Sequence, residues 1–173
     1  MKIIQFHIGD RVVHPQYGVG QVVKLEEREF EPGVMRRYYE VLIPGGSTVW
    51  VPLDLLVSGL RKVAEKSEIA TCRRILRSQP SPLSDDMRMR QADLTSRLKR
   101  GTLSSHCEVV RDLSAHGDHK PVTGAVASLL QVVQRVLCQE WALVEGITLS
   151  DAAVEVEGLL EKSRQSKMGA IAE

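Results

Sequence analysis

The sequence predicts an α+β protein with a strand-rich first part and a helical second part. In the first sixty residues, short runs of strand-forming residues alternate with Gly/Pro turns at intervals of about ten residues, which is typical of a small barrel or sandwich. From Glu65 onward, apolar residues recur with the period of amphipathic helices. We therefore expect a sheet domain over residues 1–64, a helical domain of about five helices over 65–165, and a flexible tail over 166–173.

The predicted strands lie between recognisable turn signals. A short strand precedes the turn at residues 14–18, and a long strand covers 19–30 up to the Pro-Gly turn at 32–33. Two more strands follow at 34–43 and 47–52. A unit of about sixty residues is near the lower size limit for independent folding, so we expect it to be supported by the second half or by a partner.

Each predicted helix has an apolar face and signals at its ends. Ser84 is the predicted N-cap of the second helix, Thr102 or Ser104 begins the third, and Gly146 ends the fourth. Thr148 opens a capping box for the fifth helix, whose pattern fades after Lys162 into a frayed tail. The apolar residues assigned to the five helices are Ile69, Cys72, Ile75 and Leu76; Met87, Leu94 and Leu98; Leu103, Cys107, Val110 and Leu113; Leu129, Val133, Val136, Leu137, Trp141 and Val144; and Val156, Leu159 and Leu160.

Composition excludes several classes of protein. The chain has 173 residues, of which 43% are hydrophobic and 26% charged, so extended disorder is excluded. Its three cysteines form no C-x-x-C pair, which favours reduced thiols. The N-terminus resembles no signal peptide, and no apolar run is long enough to span a membrane. We therefore expect a soluble, cytoplasmic protein.

The charge is unevenly distributed along the chain. Lys and Arg total 23 against 22 Asp and Glu, but residues 61–112 contain twelve basic and seven acidic side chains. A basic stretch of this kind favours a nucleic-acid contact in the second half. The alternative is an ordinary solvated helical face that is rich in arginine.

Motifs for catalysis are missing from the sequence. It has no glycine-rich phosphate loop, no G-x-S-x-G and no H-E-x-x-H. His106, Cys107, His116 and His119 could imitate a metal-dependent enzyme site, but their spacing is not typical of one. The acidic run from Glu26 to Glu31 is better explained as a solvated strand face. We expect no enzymatic activity, no cofactor, no metal and no small-molecule substrate.

Trp50 is the most distinctive aromatic residue of the first half. It alternates with Val49 and Val51, so it takes the opposite face of its strand, and Pro52 follows at the strand end. If the valines face the interior, Trp50 points outward as a candidate anchor for a protein partner. The alternative is that the first helix of the second half covers it.

Several motifs resemble one family of transcription regulators. The opening FHIGDRVVHPQYGVG (6–20), followed by RYYEV (37–41), VWVP (49–52) and GLR (59–61), is similar to the first domain of the CarD/CdnL regulators, which also occurs in the transcription-repair coupling factor. In the second half, EVVRDL (108–113) is similar to the helical domain of that family. The resemblance covers roughly residues 5–162.

The resemblance implies a Tudor/SH3-like barrel that binds the β subunit of bacterial RNA polymerase. The contact residues it implies are Arg28 and Trp50, with Val51 and Pro52 beside Trp50. It also implies a helical domain that touches promoter DNA beside the melted bubble and modulates open-complex stability without catalysis. Such a protein is bacterial, cytoplasmic and associated with the nucleoid through the polymerase.

The DNA-contacting residues that the resemblance implies lie in the second helix. Relatives carry a wedge tryptophan where this chain has Asp86, and Met87 is the candidate substitute. Candidate phosphate contacts are Arg88, Arg90, Arg97, Lys99 and Arg100. Because these five cannot share one helix face, we expect about three contacts and a log–log salt slope of about −2 to −3. The alternative function is a protein-interaction adaptor that binds polymerase but not DNA.

Overall fold

The computed structural model describes residues 6–53 and 59–169, with side chains described through residue 165. The chain divides into two compact units, Met1–Val63 and Ala64–Glu173, which we call the sheet unit and the helical unit. The first contains an antiparallel sheet and the second contains five described helices. The predicted α+β class is therefore confirmed.

The sheet unit is built on one five-stranded antiparallel sheet. Its strands are β1 (Arg11–His14), β2 (Gly18–Glu31), β3 (Val34–Leu42), β4 (Thr48–Pro52) and β5 (Arg61–Lys62). Their order across the sheet is β4-β3-β2-β1-β5, so the first four strands form a meander and β5 returns to pair with β1. This arrangement fits the Tudor-like barrel that the resemblance implies.

Strand alternation places one side chain in two in the core of the sheet unit. Phe6 closes one side of this core: its ring meets the ring of Tyr39 edge-on at 5.8 Å, and its backbone N–H donates to the Tyr39 hydroxyl at 3.2 Å. The buried residues of the core are Phe6, Val12, Val22, Tyr39, Val41, Val51 and Leu60.

Gly20 allows β2 and β3 to approach closely. A Cβ atom at this position would lie 2.6 Å from Cγ1 of Val41 and 2.8 Å from the carbonyl oxygen of Leu42. The carbonyl oxygen of Leu42 belongs to the backbone and cannot give way without moving β3, so a side chain at this position is not accommodated.

The helical unit is centred on its third helix. The helices are α1 (Lys66–Arg77), α2 (Met87–Lys99), α3 (Leu103–Gly117), α4 (Gly124–Glu145) and α5 (Leu149–Gly169). Helix α3 packs against all four others, whereas α2 packs mainly on α3. Among the described helices, none combines the length and apolar character needed to cross a membrane.

The apolar faces predicted from the sequence form most of this core. Trp141 is fully buried, as predicted, and its indole Nε1 donates to Oε2 of Glu155 at 3.0 Å. Met87 is the exception, because 64% of it is exposed at the start of α2. The first turn of that helix extends beyond the part that packs on α3, where Leu94 is the buried residue.

The start of α2 differs from the prediction by two residues. Asp86, rather than Ser84, is the N-cap, and its Oδ1 accepts the backbone N–H of Met89 at 2.9 Å. Ser84 instead accepts the backbone N–H of Asp86 through its hydroxyl at 3.2 Å. Aspartate and serine are about equally good N-caps, so the pattern did not distinguish them. For α3 the structure selects Thr102, one of the two predicted starts.

The last helix is longer than the sequence pattern predicts. Helix α5 continues to Gly169 instead of fraying after Lys162. Two contacts explain the extension: the Ser163 hydroxyl donates to the carbonyl oxygen of Ser78 at 2.6 Å, and Arg164 pairs with Asp118 at 3.0 Å. Both residues are polar, so apolar periodicity alone did not reveal them. The end of the predicted tail, residues 170–173, lies outside the described residues.

Candidate protein- and DNA-contacting surfaces

Trp50 lies on the outer face of the sheet unit, half-buried between its neighbours. Val51 is buried in the core and Val49 packs against it, so the predicted alternation along β4 is found. The Val51 side chain therefore faces away from the outer surface, and it supports Trp50 from the core side rather than lying beside it. Pro52 is half-buried and lies opposite Tyr38 of β3.

Arg28 and Trp50 are in direct contact. The guanidinium carbon of Arg28 lies 3.8 Å from the centroid of the Trp50 ring, a cation–π geometry. The Arg28 Nε also donates to Glu26, and Lys24 pairs with the same carboxylate. These hydrogen bonds, from Lys24 and then from Arg28, hold the pKa of Glu26 below its ordinary value of 4.5. The structure thus brings together the two polymerase-contact residues that the resemblance implies.

Two further aromatic residues of this unit escaped the sequence reasoning. The rings of Phe30 and Tyr38 meet edge-on with centroids 4.9 Å apart, and 53% of Phe30 is exposed. The signal available in the sequence was the alternation along β2: counting in steps of two from Lys24 passes through Glu26 and Arg28 to Phe30.

The first turn of α2 exposes two methionines. Met87 is 64% exposed and Met89 is 67% exposed. Asp86 does not point freely outward, because its carboxylate caps the helix through the N–H of Met89. Asp86 therefore stabilises the start of α2 as its N-cap. Met87 is the first apolar side chain of the helix, and it is exposed to solvent.

Arg88 and Lys99 lie on a common exposed face of α2. They are separated by eleven residues, about three turns, so the helical period returns them to the same side. Within the described residues, neither takes part in an ion pair. Together they flank a shallow groove lined by Arg88, Gln91, Ala92, Thr95, Ser96 and Lys99.

The other three candidate phosphate contacts are bonded within the helical unit. Arg90 donates through Nη1 to the carbonyl oxygens of Ser84 at 2.7 Å and Asp85 at 3.2 Å. Arg100 pairs with Glu108. Arg97 pairs with Asp93 and Asp112, as described next. The structure therefore does not bring the five predicted basic residues together on one surface.

Asp112 is the centre of a buried polar cluster that the sequence did not reveal. Its fully buried carboxylate accepts from Arg97 Nη1 at 2.6 Å, from Arg111 Nε at 2.7 Å and from the backbone N–H of Ser81 at 2.9 Å. Arg111 also donates to the hydroxyl of Ser78 at 2.7 Å. The cluster joins α2 and α3 to the segment after α1, so Arg97 and Arg111 act in folding.

The histidine and cysteine residues considered for a metal site are dispersed. His106 and Cys107 are buried in α3, and a ring nitrogen of His106 lies 2.8 Å from the carbonyl oxygen of Thr102. His116 and His119 lie at the other end of that helix and just beyond it. In the described parts of the chain, no three potential ligands come close enough to hold a metal ion.

Comparisons with known proteins agree with both units. The family model described as the CarD-like/TRCF RID domain matches residues 6–64, and that of the CarD C-terminal domain matches residues 72–157. The chain is also 27% identical over 144 residues to a protein of Bacillus subtilis (strain 168) named "Putative transcription factor YdeB", covering 83% of this chain and 94% of that protein. Together the two family models match most of the chain. The chain belongs to the CarD/CdnL family of transcription factors.

Proposed function

We propose that this protein regulates bacterial transcription by docking on the β subunit of RNA polymerase through its sheet unit. The docking surface is the outer face around Arg28, Trp50 and Pro52, with Val51 supporting Trp50 from the core. Membership of a family whose first domain is named for polymerase interaction supports this partner. The contact of Arg28 with Trp50 supports this surface, since the two candidate residues form one continuous patch.

The helical unit then contacts promoter DNA and modulates the lifetime of the open complex. Met87 is the side chain offered to the edge of the melted bubble, and Arg88 and Lys99 contact phosphates without reading bases. Arg90 and Arg100 contribute less to phosphate binding because they already bond within the helical unit. Arg97 contributes least, because it pairs with the buried carboxylate of Asp112. The protein acts without catalysis or a cofactor, in the cytoplasm and on the nucleoid through polymerase.

The observation that carries the DNA-contacting role is the exposed first turn of α2. An apolar side chain that is 64% exposed at a helix start, followed at once by an arginine that forms no ion pair with any residue that the structure describes, is arranged to insert beside a base step. A methionine that served only the core would be buried like Leu94.

A second candidate function is favoured by the internal bonds of Arg90, Arg97 and Arg100. Because these remove three of five basic side chains from the candidate DNA surface, the protein could have kept polymerase docking and lost DNA contact. An adaptor of this kind protects no additional DNA when it joins a polymerase–promoter complex.

Two measurements distinguish the regulator from the adaptor. Footprinting of a polymerase–promoter complex with and without the protein should show added protection at the upstream edge of the bubble. The open-complex half-life should shorten for Met87→Ala and lengthen for Asp86→Trp, which restores the side chain of relatives. Asp86→Ala is the matched control for the lost N-cap, worth about 1 kcal/mol of helix stability. An unchanged footprint and unchanged half-lives would favour the adaptor.

A further inference from the structure

The charged side chains on the outer face of the sheet unit neutralise one another. Lys24 and Arg28 both pair with Glu26, and Glu40 lies opposite Trp50 in the register of β3 and β4. These four residues provide two positive and two negative charges. Among the described side chains of this face, the aromatic surface of Trp50 is what remains for a partner.

The nearby hairpin between β2 and β3 adds one balanced pair to this face. Arg36 pairs with Glu31 at 3.7 Å, whereas Glu27, Glu29 and Arg37 alternate onto the opposite face. Phe30 and Tyr38 add two more rings to the aromatic surface of the unit. In the described part of the outer face, a strongly acidic partner surface would find no excess of positive charge, and a strongly basic one would find no excess of negative charge.

Arg28 is arranged to hold Trp50 rather than to meet an opposite charge. Its planar guanidinium stacks 3.8 Å from the indole centroid, while its Nε is used by Glu26. A planar guanidinium can stack on an aromatic face in a way that a lysine ammonium cannot. The stacking limits the orientations open to the indole, which lowers the ordering cost when a partner covers it.

We infer that the outer face of the sheet unit binds an uncharged, apolar surface of RNA polymerase, with Trp50 as the anchor and Arg28 as the residue that positions it. The inference rests on the proposed docking function and adds the chemistry of the partner surface. The polymerase surface that contacts Trp50 is thus a patch of aliphatic side chains, not an acidic patch. Contact between such surfaces depends little on ionic strength, because screening acts on charges.

The first test is the salt dependence of binding. The full-length protein is titrated against purified bacterial core RNA polymerase, without DNA, from about 50 to about 500 mM KCl. We expect the dissociation constant to change by less than about threefold over this range, whereas steered ionic contacts would weaken much more steeply. This test needs no variant, so a variant that fails to fold does not affect it.

The second test separates positioning from ion pairing. Trp50→Ala should weaken binding by about thirtyfold, as expected for an anchor residue. Arg28→Lys, which keeps the charge but loses the planar stacking, should weaken binding as much as Arg28→Ala does. Arg37→Ala is the matched control, since it removes the same charge from the neighbouring strand on the opposite face and should leave binding unchanged. Thermal unfolding of each variant confirms that it is folded.

The possible results separate a failure of the apolar partner surface from a failure of polymerase docking. Tight binding that is lost steeply with salt, or full binding by Arg28→Lys with loss in Arg28→Ala, overturns the apolar partner surface but leaves polymerase docking intact. Absence of binding at every salt concentration overturns the docking function itself, and the inference with it. Salt-independent binding that requires both Trp50 and the guanidinium of Arg28 supports both.

Discussion

Asp112 shows how one side chain can determine what its neighbours do. Two arginines that would otherwise enrich a basic surface, Arg97 and Arg111, both bond to its carboxylate. A buried carboxylate without such partners would be strongly destabilising, and so would the arginines without it. The local sequence EVVRDL is therefore a folding element, and its charges are not available to DNA.

Replacing Asp112 should reveal this role directly. Asp112→Ala leaves Arg111 buried beside Arg97 without a carboxylate between them, so we expect a loss of about 3 kcal/mol in the free energy of unfolding. Asp93→Ala removes the more exposed partner of Arg97 and should cost about 1 kcal/mol or less. Denaturant unfolding of both variants measures the difference. Equal losses would show that the buried carboxylate of Asp112 stabilises the fold no more than the exposed carboxylate of Asp93 does.

Two glycines in contrasting positions make a paired prediction. Gly20→Ala brings a Cβ within 2.6 Å of Val41, so we expect the sheet unit to lose about 2 kcal/mol of stability. Gly158→Ala lies on an exposed turn of α5 with no atom within 4 Å of the new Cβ, so it should stabilise the helical unit by about 0.5–1 kcal/mol. Unfolding curves that move in the same direction would contradict this reading of the two sites.

Glu155 makes stability depend on acidic pH. Hydrogen bonds from Arg73 and then from Trp141 hold the pKa of Glu155 below its ordinary value of 4.5. A lowered folded-state pKa contributes stability that is present above 4.5 and is lost as the pH falls through the folded value. Glu155→Gln should therefore be less stable than wild type at neutral pH, with the gap closing below pH 4.5. A gap that stays constant with pH would rule out this linkage.

At the scale of elements, α2 differs from the helices around it. Only Leu94 is buried among its 13 residues, whereas α3 buries ten of 15. Helices that bury few side chains open at lower free energy. This weak anchoring of α2 agrees with the DNA contact that we propose for its first turn.

Hydrogen exchange should detect this difference between helices. Amides in the first half of α2 should exchange faster than those of α3 and α4, because local opening there exposes little apolar surface. Exchange should slow toward Arg97, which Asp112 anchors. Mass spectrometry of peptides covering residues 87–99 and 103–117 provides the comparison. Equal protection of the two peptides would contradict a weakly held α2.

The predictability of these elements follows from the kind of interaction that forms them. Apolar periodicity located the core faces of α1, α3 and α4 because burial of apolar side chains is a local pattern along a helix. It missed the end of α5, where Ser163 bonds to Ser78 across 85 positions of sequence. It also placed the cap of α2 at Ser84, because serine and aspartate, two positions apart here, satisfy the same capping rule.

At the scale of the whole molecule, charge counted along the sequence overstates charge available at the surface. Residues 61–112 carry a surplus of five positive charges, yet four of their arginines pair with acids of the helical unit. Arg73 pairs with Glu145 and Glu155, which lie beyond the basic stretch. The carboxylates that neutralise a basic segment can come from distant helices, so composition alone could not show which basic side chains remain available.

The reduced set of available cations lowers the expected salt dependence of DNA binding. With Arg88 and Lys99 as the main phosphate contacts, binding of the full-length protein to duplex promoter DNA should weaken with a log–log slope of about −2 in salt concentration. The double variant Arg88→Ala, Lys99→Ala should remove most of that slope. Arg74→Ala, which removes an exposed cation of α1, is the control and should leave the slope unchanged. A slope near −5 would mean that all five candidate residues reach DNA.

The hydrogen bond between Ser163 and Ser78 also has a consequence for biosynthesis. A chain made from its N-terminus produces α1 long before α5, and these two helices pack against each other. Until the ribosome has released residues as far as Ser163, the buried face of α1, with Ile69 and Leu76, has only part of its covering. The strands of the sheet unit, which pair in chain order except for β5, leave the ribosome before the helical unit is complete. We therefore expect the helical unit of the nascent protein to complete its core only after α5 has left the ribosome.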